Sequence, residues 1–156
     1  MEALENKLAW AAGFFDGEGC IKVVKQKVNY GYGHSHTLAL HITQKNIKPL
    51  KIFEKIFGGK IYKTKEKRYK DYYIYEWQVH NQNAIRVLKL IRPYLILKLD
   101  ECDETLKYEK FLASKGFKRL NRETFNKREE LYIKLRELKD TKYNRWGVKS
   151  LHGKAN

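Results

Sequence analysis

The segment Thr37-Leu38-Ala39-Leu40-His41-Ile42-Thr43-Gln44 constrains the fold more than any other part of the chain. In an extended backbone Leu38, Leu40 and Ile42 share one face, and Thr37, Ala39, His41 and Thr43 share the other. A strand of this kind buries one face and leaves the other open, so its sheet takes helices on one side only. A second strand precedes it over residues 20–27, with Ile21 and Val23 opposite Cys20, Lys22, Val24 and Gln26. The glycine-rich Asn29-Tyr30-Gly31-Tyr32-Gly33-His34 between them reads as the turn of a hairpin.

Helical patterns surround this hairpin. Residues 2–15 are rich in Ala, Leu, Glu and Lys, and Asp16-Gly17-Glu18-Gly19 predicts their end. Asn46 is placed to cap a helix over 47–57, with Pro49 in its first turn and Gly58-Gly59 after it. Residues 60–67 and 72–80 form a second hairpin through 68–71. Asn81 then caps a helix carrying Ala84, Val87, Leu88 and Ile91, which Pro93 ends. Residues 97–113 and 122–139 predict two more helices, and 140–156 is a basic tail without periodicity. The fold class is α+β, in the order αββαββα with added C-terminal helices. One domain spans 1–139, with an antiparallel four-stranded sheet and helices on one face. In the second hairpin, Ile61, Trp77 and Val79 as core would turn Lys60, Tyr62, Thr64, Ile74, Glu76 and Gln78 outward. A one-residue slip would expose Lys63 and Lys65 instead.

Composition bears on what meets the open face. The 156 residues carry a net charge of +15, with 42% hydrophobic and 13% aromatic residues. That is too apolar for disorder and has the electrostatic footprint of a nucleic-acid binder. The longest apolar run, residues 8–15, is far short of the roughly 20 residues of a membrane span. No membrane partner is expected. Two cysteines give no disulfide framework, which points to an intracellular location in cytoplasm, organelle or nucleus. Lys22, Val24, Gln26, Ser35, Thr37, Ala39 and His41 mix cations, amides, hydroxyls and small apolar groups on the open face. Such a set reads base edges, while phosphate binding alone needs only cations. An ordinary solvated sheet face carries the same residue types.

The residues before the first hairpin carry the chemistry. Ala9, Ala12 and Gly13 leave a nearly bare helix side, open to close approach by another helix of this chain or of a partner. Asp16 and Glu18 follow at the negative end of the helix dipole, where carboxylates call for a cation. A hard divalent ion such as Mg²⁺ suits them, with the Gly17 carbonyl as a further oxygen. A turn with two solvated acids is the alternative. His34-Ser35-His36 reads as a solvated loop more readily than as a metal site.

Ala11-Ala12-Gly13-Phe14-Phe15-Asp16-Gly17-Glu18-Gly19 resembles the signature of LAGLIDADG homing endonucleases. Ala11 replaces the usual opening Leu, and Glu18 the commoner aspartate. Thr43-Gln44-Lys45 and Pro93-Tyr94-Leu95-Ile96-Leu97-Lys98 resemble further family segments. The sequence holds one copy of the motif, and in the family this implies a homodimer packed through the motif helices at Ala9, Ala12, Gly13 and Asp16. The resemblance implies a site-specific double-strand break in a long, roughly palindromic DNA target, promoting intron mobility. Glu18 aligns with the metal-binding catalytic acid and Gly17 with a carbonyl ligand. Asp16 aligns with a structural acid. Gln44 and Lys98 align with groups that position water and stabilise charge, and Lys48 sits one turn beyond Gln44. The cofactor expected is Mg²⁺, with Mn²⁺ substituting and Ca²⁺ supporting binding without turnover. Further contacts to double-stranded DNA are expected from Tyr62, Lys63, Lys65, Glu76 and Gln78. Two other activities share the fold: RNA-binding splicing maturase, and DNA binding without cleavage.

Overall fold

The computed structural model describes residues 2–65, 73–113 and 120–145. Helix α1 (Glu2–Glu18) leads into strands β1 (Gly19–Lys27) and β2 (His34–Gln44), then helix α2 (Ile47–Phe57). Strands β3 (Lys60–Lys65) and β4 (Tyr73–His80) follow, then helix α3 (Asn81–Ile91) and a 3-10 turn at Arg92–Tyr94. Helices α4 (Leu99–Lys107), α5 (Glu109–Leu112) and α6 (Arg122–Arg145) complete the order. The αββαββα expectation is borne out. The sheet runs β1-β2-β4-β3, antiparallel throughout.

Register aligns the apolar side chains across the sheet. Ile21, Leu40 and Val79 are neighbours, as are Ile42, Trp77 and Ile61. These face the helices. Trp77 packs on Phe53 and Phe57 of α2, with ring centroids 5.1 and 6.3 Å away, and its Nε1 donates to the Gly58 carbonyl at 2.8 Å. Leu38, Leu40, Phe15, Leu50, Ile85, Leu88 and Ile91 are likewise fully buried. At about 25 cal/mol per Å² of apolar area, these side chains dominate the stability. Among the described residues the opposite sheet face carries no helix.

Several boundaries differ from the pattern. Two glycines do not stop α1 early; it runs to Glu18 and turns at Gly19, where a Cβ would overlap the Phe15 ring. Strand β2 begins at His34, so His36 is a core-side strand residue, 3% exposed, and not part of a solvated loop. Asn46 does cap α2, accepting from the Lys48 N–H at 3.0 Å. Asn81 does not cap α3. Its φ is +47°, and its Oδ1 accepts from the Leu38 N–H at 3.2 Å, which ties α3 to β2. The helix expected over 97–113 breaks at Tyr108 and starts only at Leu99. The Tyr108 hydroxyl is held by Glu130 at 2.6 Å and Lys134 at 2.8 Å.

Helix α6 continues through the boundary expected at 139/140 as far as Arg145. The hairpin connection at 68–71 and the tail from 146 lie outside the described residues. Helix α6 closes over the edge strand β1. Glu129 accepts from Lys25 at 2.7 Å and from His36 Nε2 at 2.6 Å, and Lys139 donates to the Ile21 carbonyl at 2.7 Å. Leu131 and Leu135 of α6 itself are buried in the core. Among the described residues no helix is long and apolar enough to cross a membrane.

Candidate functional site

The end of α1 gathers residues from three distant parts of the chain. Asp16, 7% exposed, accepts three backbone N–H groups: Ile96 at 2.6 Å and Leu97 at 3.1 Å on Oδ2, and Lys98 at 2.9 Å on Oδ1. The carboxylate is turned into its own chain. Asp16 therefore organises the segment before α4 and is not, as expected, a residue offered to a partner helix. The last turn of α1 contains no basic residue, and Lys98 supplies one: its Nζ donates to the Asp16 carbonyl. A cation there offsets the negative end of the helix.

Glu18 is exposed at the same helix end, and Gln44 closes on it from the last position of β2. Gln44 Nε2 donates to Glu18 Oε2 at 2.7 Å. Glu18, Gln44 and Lys98, expected to act together, are thus brought to one helix terminus. Gly17 is exposed, and a Cβ there would meet nothing within 4 Å. Lys48 is exposed in the first turn of α2. Among the described residues no group of three His, Cys, Asp or Glu side chains could hold a metal. Glu18 and the Gly17 carbonyl offer hard oxygen donors open to solvent. They suit part of a Mg²⁺ or Ca²⁺ shell of six or more oxygens, the rest coming from outside the chain.

The bare side of α1 is rotated from where spacing placed it. Ala11 and Ala12 are fully buried in this chain's own core, whereas Ala9, Gly13 and Gly17 face solvent at intervals of four residues. A Cβ at Gly13 would also meet nothing within 4 Å. Ile96 and Leu97, held by Asp16 beside this row, are 83% and 64% exposed.

The open sheet face resolves the register of the second hairpin. Tyr62 pairs with Glu76 and Lys60 with Gln78, so these four share the open face with His41 and Thr43. Lys63 and Lys65 pair with Tyr75 and Tyr73 and lie on the other side of β3, with Lys63 4.0 Å from the Tyr73 ring centroid. That places both off the open face. Lys22, Val24, Gln26, Ser35 and Thr37 are on the open face as expected. Ala39 is there too but only 2% exposed, flanked by Lys22 and His80, which leaves no surface for a base methyl.

Neighbouring polar groups are linked. His41 Nδ1 lies 3.2 Å from Glu76 Oε1 and 3.5 Å from Lys22 Nζ, and Gln78 Nε2 donates to Glu76 Oε1. Burial pushes the Cys20 thiol up, but a hydrogen bond with His41 and the Lys139 charge outweigh it and leave it below its usual value. His80 was not anticipated on this face. Its imidazole is held below the ordinary value by burial and then by Lys22. Nothing in the local sequence marks it, because its place depends on β4 pairing with β2.

A sequence model of the LAGLIDADG endonuclease family matches residues 11–112. The chain belongs to that family. Three solved structures show how far the likeness extends. The homing endonuclease I-CvuI, crystallised with its target and Ca, superposes with a TM-score of 0.61 at 25% identity, over 86% of this chain and 98% of that one. I-TnaI, a homing endonuclease, gives 0.65 at 21% identity, over 88% and 96%. The archaeal intron-encoded I-Vdi141I, complexed with DNA, gives 0.67 at 19%, over 85% and 84%. For this LAGLIDADG endonuclease the family match covers α1 from Ala11 onward, all four strands and the segment carrying Lys98. Helix α6 lies beyond the family match, and the braces it adds through Glu129 and Lys139 had no local sequence signal.

Proposed function

We propose that this LAGLIDADG endonuclease makes a divalent-metal-dependent double-strand break at a long, roughly palindromic DNA site, acting as a homodimer and serving intron mobility inside the cell. The observation that carries the reading is the convergence of Glu18, Gln44 and Lys98 at one exposed helix end, next to an open sheet face in a +15 chain. Glu18 and the Gly17 carbonyl would hold the metal. The chemistry a divalent cation supplies there is orientation of the scissile phosphate, activation of an attacking water and relief of charge on the leaving oxygen. Gln44 fixes the Glu18 carboxylate through one oxygen and leaves the other free. Lys98 keeps positive charge beside the phosphate path. The row Ala9, Gly13 and Gly17, with Ile96 and Leu97 alongside, supports dimerisation because small residues let two helices approach closely. A two-fold dimer presents two related half-sites to DNA.

The test pairs a gel shift in Ca²⁺ with a cleavage assay in Mg²⁺ for Glu18→Gln. The amide keeps the shape and removes one charge. Binding is expected to persist or tighten while cleavage disappears. Cleavage near the wild-type rate would refute the assignment of Glu18. Loss of binding by a folded variant would make Glu18 an organiser of the DNA surface.

A further inference from the structure

One carboxylate, Glu76, stands among the described residues of the open sheet face. On a surface proposed to meet a polyanion, its charge opposes binding at every sequence alike. Its position suggests what offsets that cost. Glu76 sits between Thr43 of β2 and Tyr62 of β3, half-buried, and accepts from Gln78 and from His41 at 3.2 Å. An ionised carboxylate has acceptors only. The Gln78 amide must therefore turn its nitrogen toward Glu76, which fixes the otherwise ambiguous amide orientation. Among the described residues its carbonyl oxygen and second N–H take no partner. Gln78 also lines a concavity of about 350 Å³ shared with Lys60, Tyr62, His80 and Asn83.

We propose that Glu76 is a positioning residue for sequence recognition: it locks Gln78 in the orientation that reads adenine at the mouth of this concavity. The free amide oxygen accepts from adenine N6–H, and the remaining amide N–H donates to N7. The inference rests on the open face being the DNA-reading surface.

The experiment is a binding selection from randomised duplex DNA in Ca²⁺ with the full chain. The proteins are wild type, Glu76→Gln, Gln78→Leu and the double variant, each checked by thermal melting. Wild type is expected to prefer adenine at one position in each half-site, and Gln78→Leu to lose that preference. Glu76→Gln, whose own amide can donate as well as accept, frees the Gln78 flip. The adenine preference should fall about tenfold at that position and nowhere else. Adding Glu76→Gln to Gln78→Leu should change nothing further at that position. A uniform rise in affinity with unchanged base preference would overturn the proposal and reduce Glu76 to a general electrostatic effect. So would equal relaxation at all positions with a lowered melting temperature. Wild type that selects no sequence at all would instead refute the reading of the face.

Discussion

Asp16→Asn isolates the part of the site that is architecture. The wild-type carboxylate accepts Ile96 and Leu97 on one oxygen and Lys98 on the other, all within 3.1 Å. Asparagine retains one acceptor and sets an NH₂ against the third N–H. Hydrogen bonds to a charged group contribute about 1.5–3 kcal/mol each, and an orphaned donor costs a similar amount. The three bonds share one desolvated carboxylate, so they do not add. A loss of about 3 kcal/mol follows, or roughly 6–12 °C in melting temperature for a chain of this size. Urea denaturation should show a lower midpoint with an unchanged slope. Because Lys98 hangs on the same segment, cleavage should fall further than the loss of folded protein explains. DNA affinity in Ca²⁺ should be nearly kept, since the open sheet face does not rest on this segment. A variant as stable as wild type would refute the energetic argument. Reduced stability with full activity would detach Lys98 from the reaction.

Gly13→Leu tests the helix row. Its side chain enters open space in one chain, and leucine is favoured over glycine in a helix by about 1 kcal/mol. The melting temperature should hold or rise while sedimentation shows a monomer and cleavage is lost; a dimeric, active variant would place the interface elsewhere. The contact between α6 and β1 should make stability fall with acid in two steps. Burial holds the His36 imidazole below its usual 6.5 against the opposing pull of Glu129, so the unfolded chain takes up the proton first and stability drops as pH falls below 6.5. Burial pushes the Glu129 carboxyl up, but hydrogen bonds from Lys25 and His36 outweigh it and hold it below 4.5, which adds a second loss under that pH. Urea midpoints of wild type and Glu129→Gln between about pH 7.5 and 3.5 should show a smaller lower step in the variant, what remains coming from carboxyls such as Glu104 and Glu130 that are also held low; an undiminished step would refute the assignment.

What the sequence made legible follows from how local each cause is. The alternation at 37–44 places Leu38, Leu40 and Ile42 inside without help from the rest of the chain. Asn46 caps α2 through an atom two residues from its partner. The reading of β3 stayed open between two registers because Ile61 is its one large aliphatic anchor, and Trp77 across the strand pair settled it. Residues on α1 were harder still. Adjacent positions differ by about 100° around a helix, so Ala12 and Gly13 look alike as small residues yet end up on opposite sides of a packing boundary. Ala39 shows the same limit on a sheet: alternation gave the correct face, but the long neighbours Lys22 and His80 decide whether that face is accessible there.

The acids of the motif divide along this line. Asp16 and Glu18 are two residues apart at the end of a helix with no basic residue in its last turn, and electrostatics alone asks both for cations. They separate because the backbone of 96–98 arrives from 80 residues away and saturates Asp16 with three N–H groups. Among the described residues Glu18 meets only the Gln44 amide, which orients one carboxylate oxygen and leaves the other open to solvent. The sequence shows that this helix end needs positive charge. The fold decides that Asp16 takes it as backbone N–H groups and that Glu18 remains exposed to solvent.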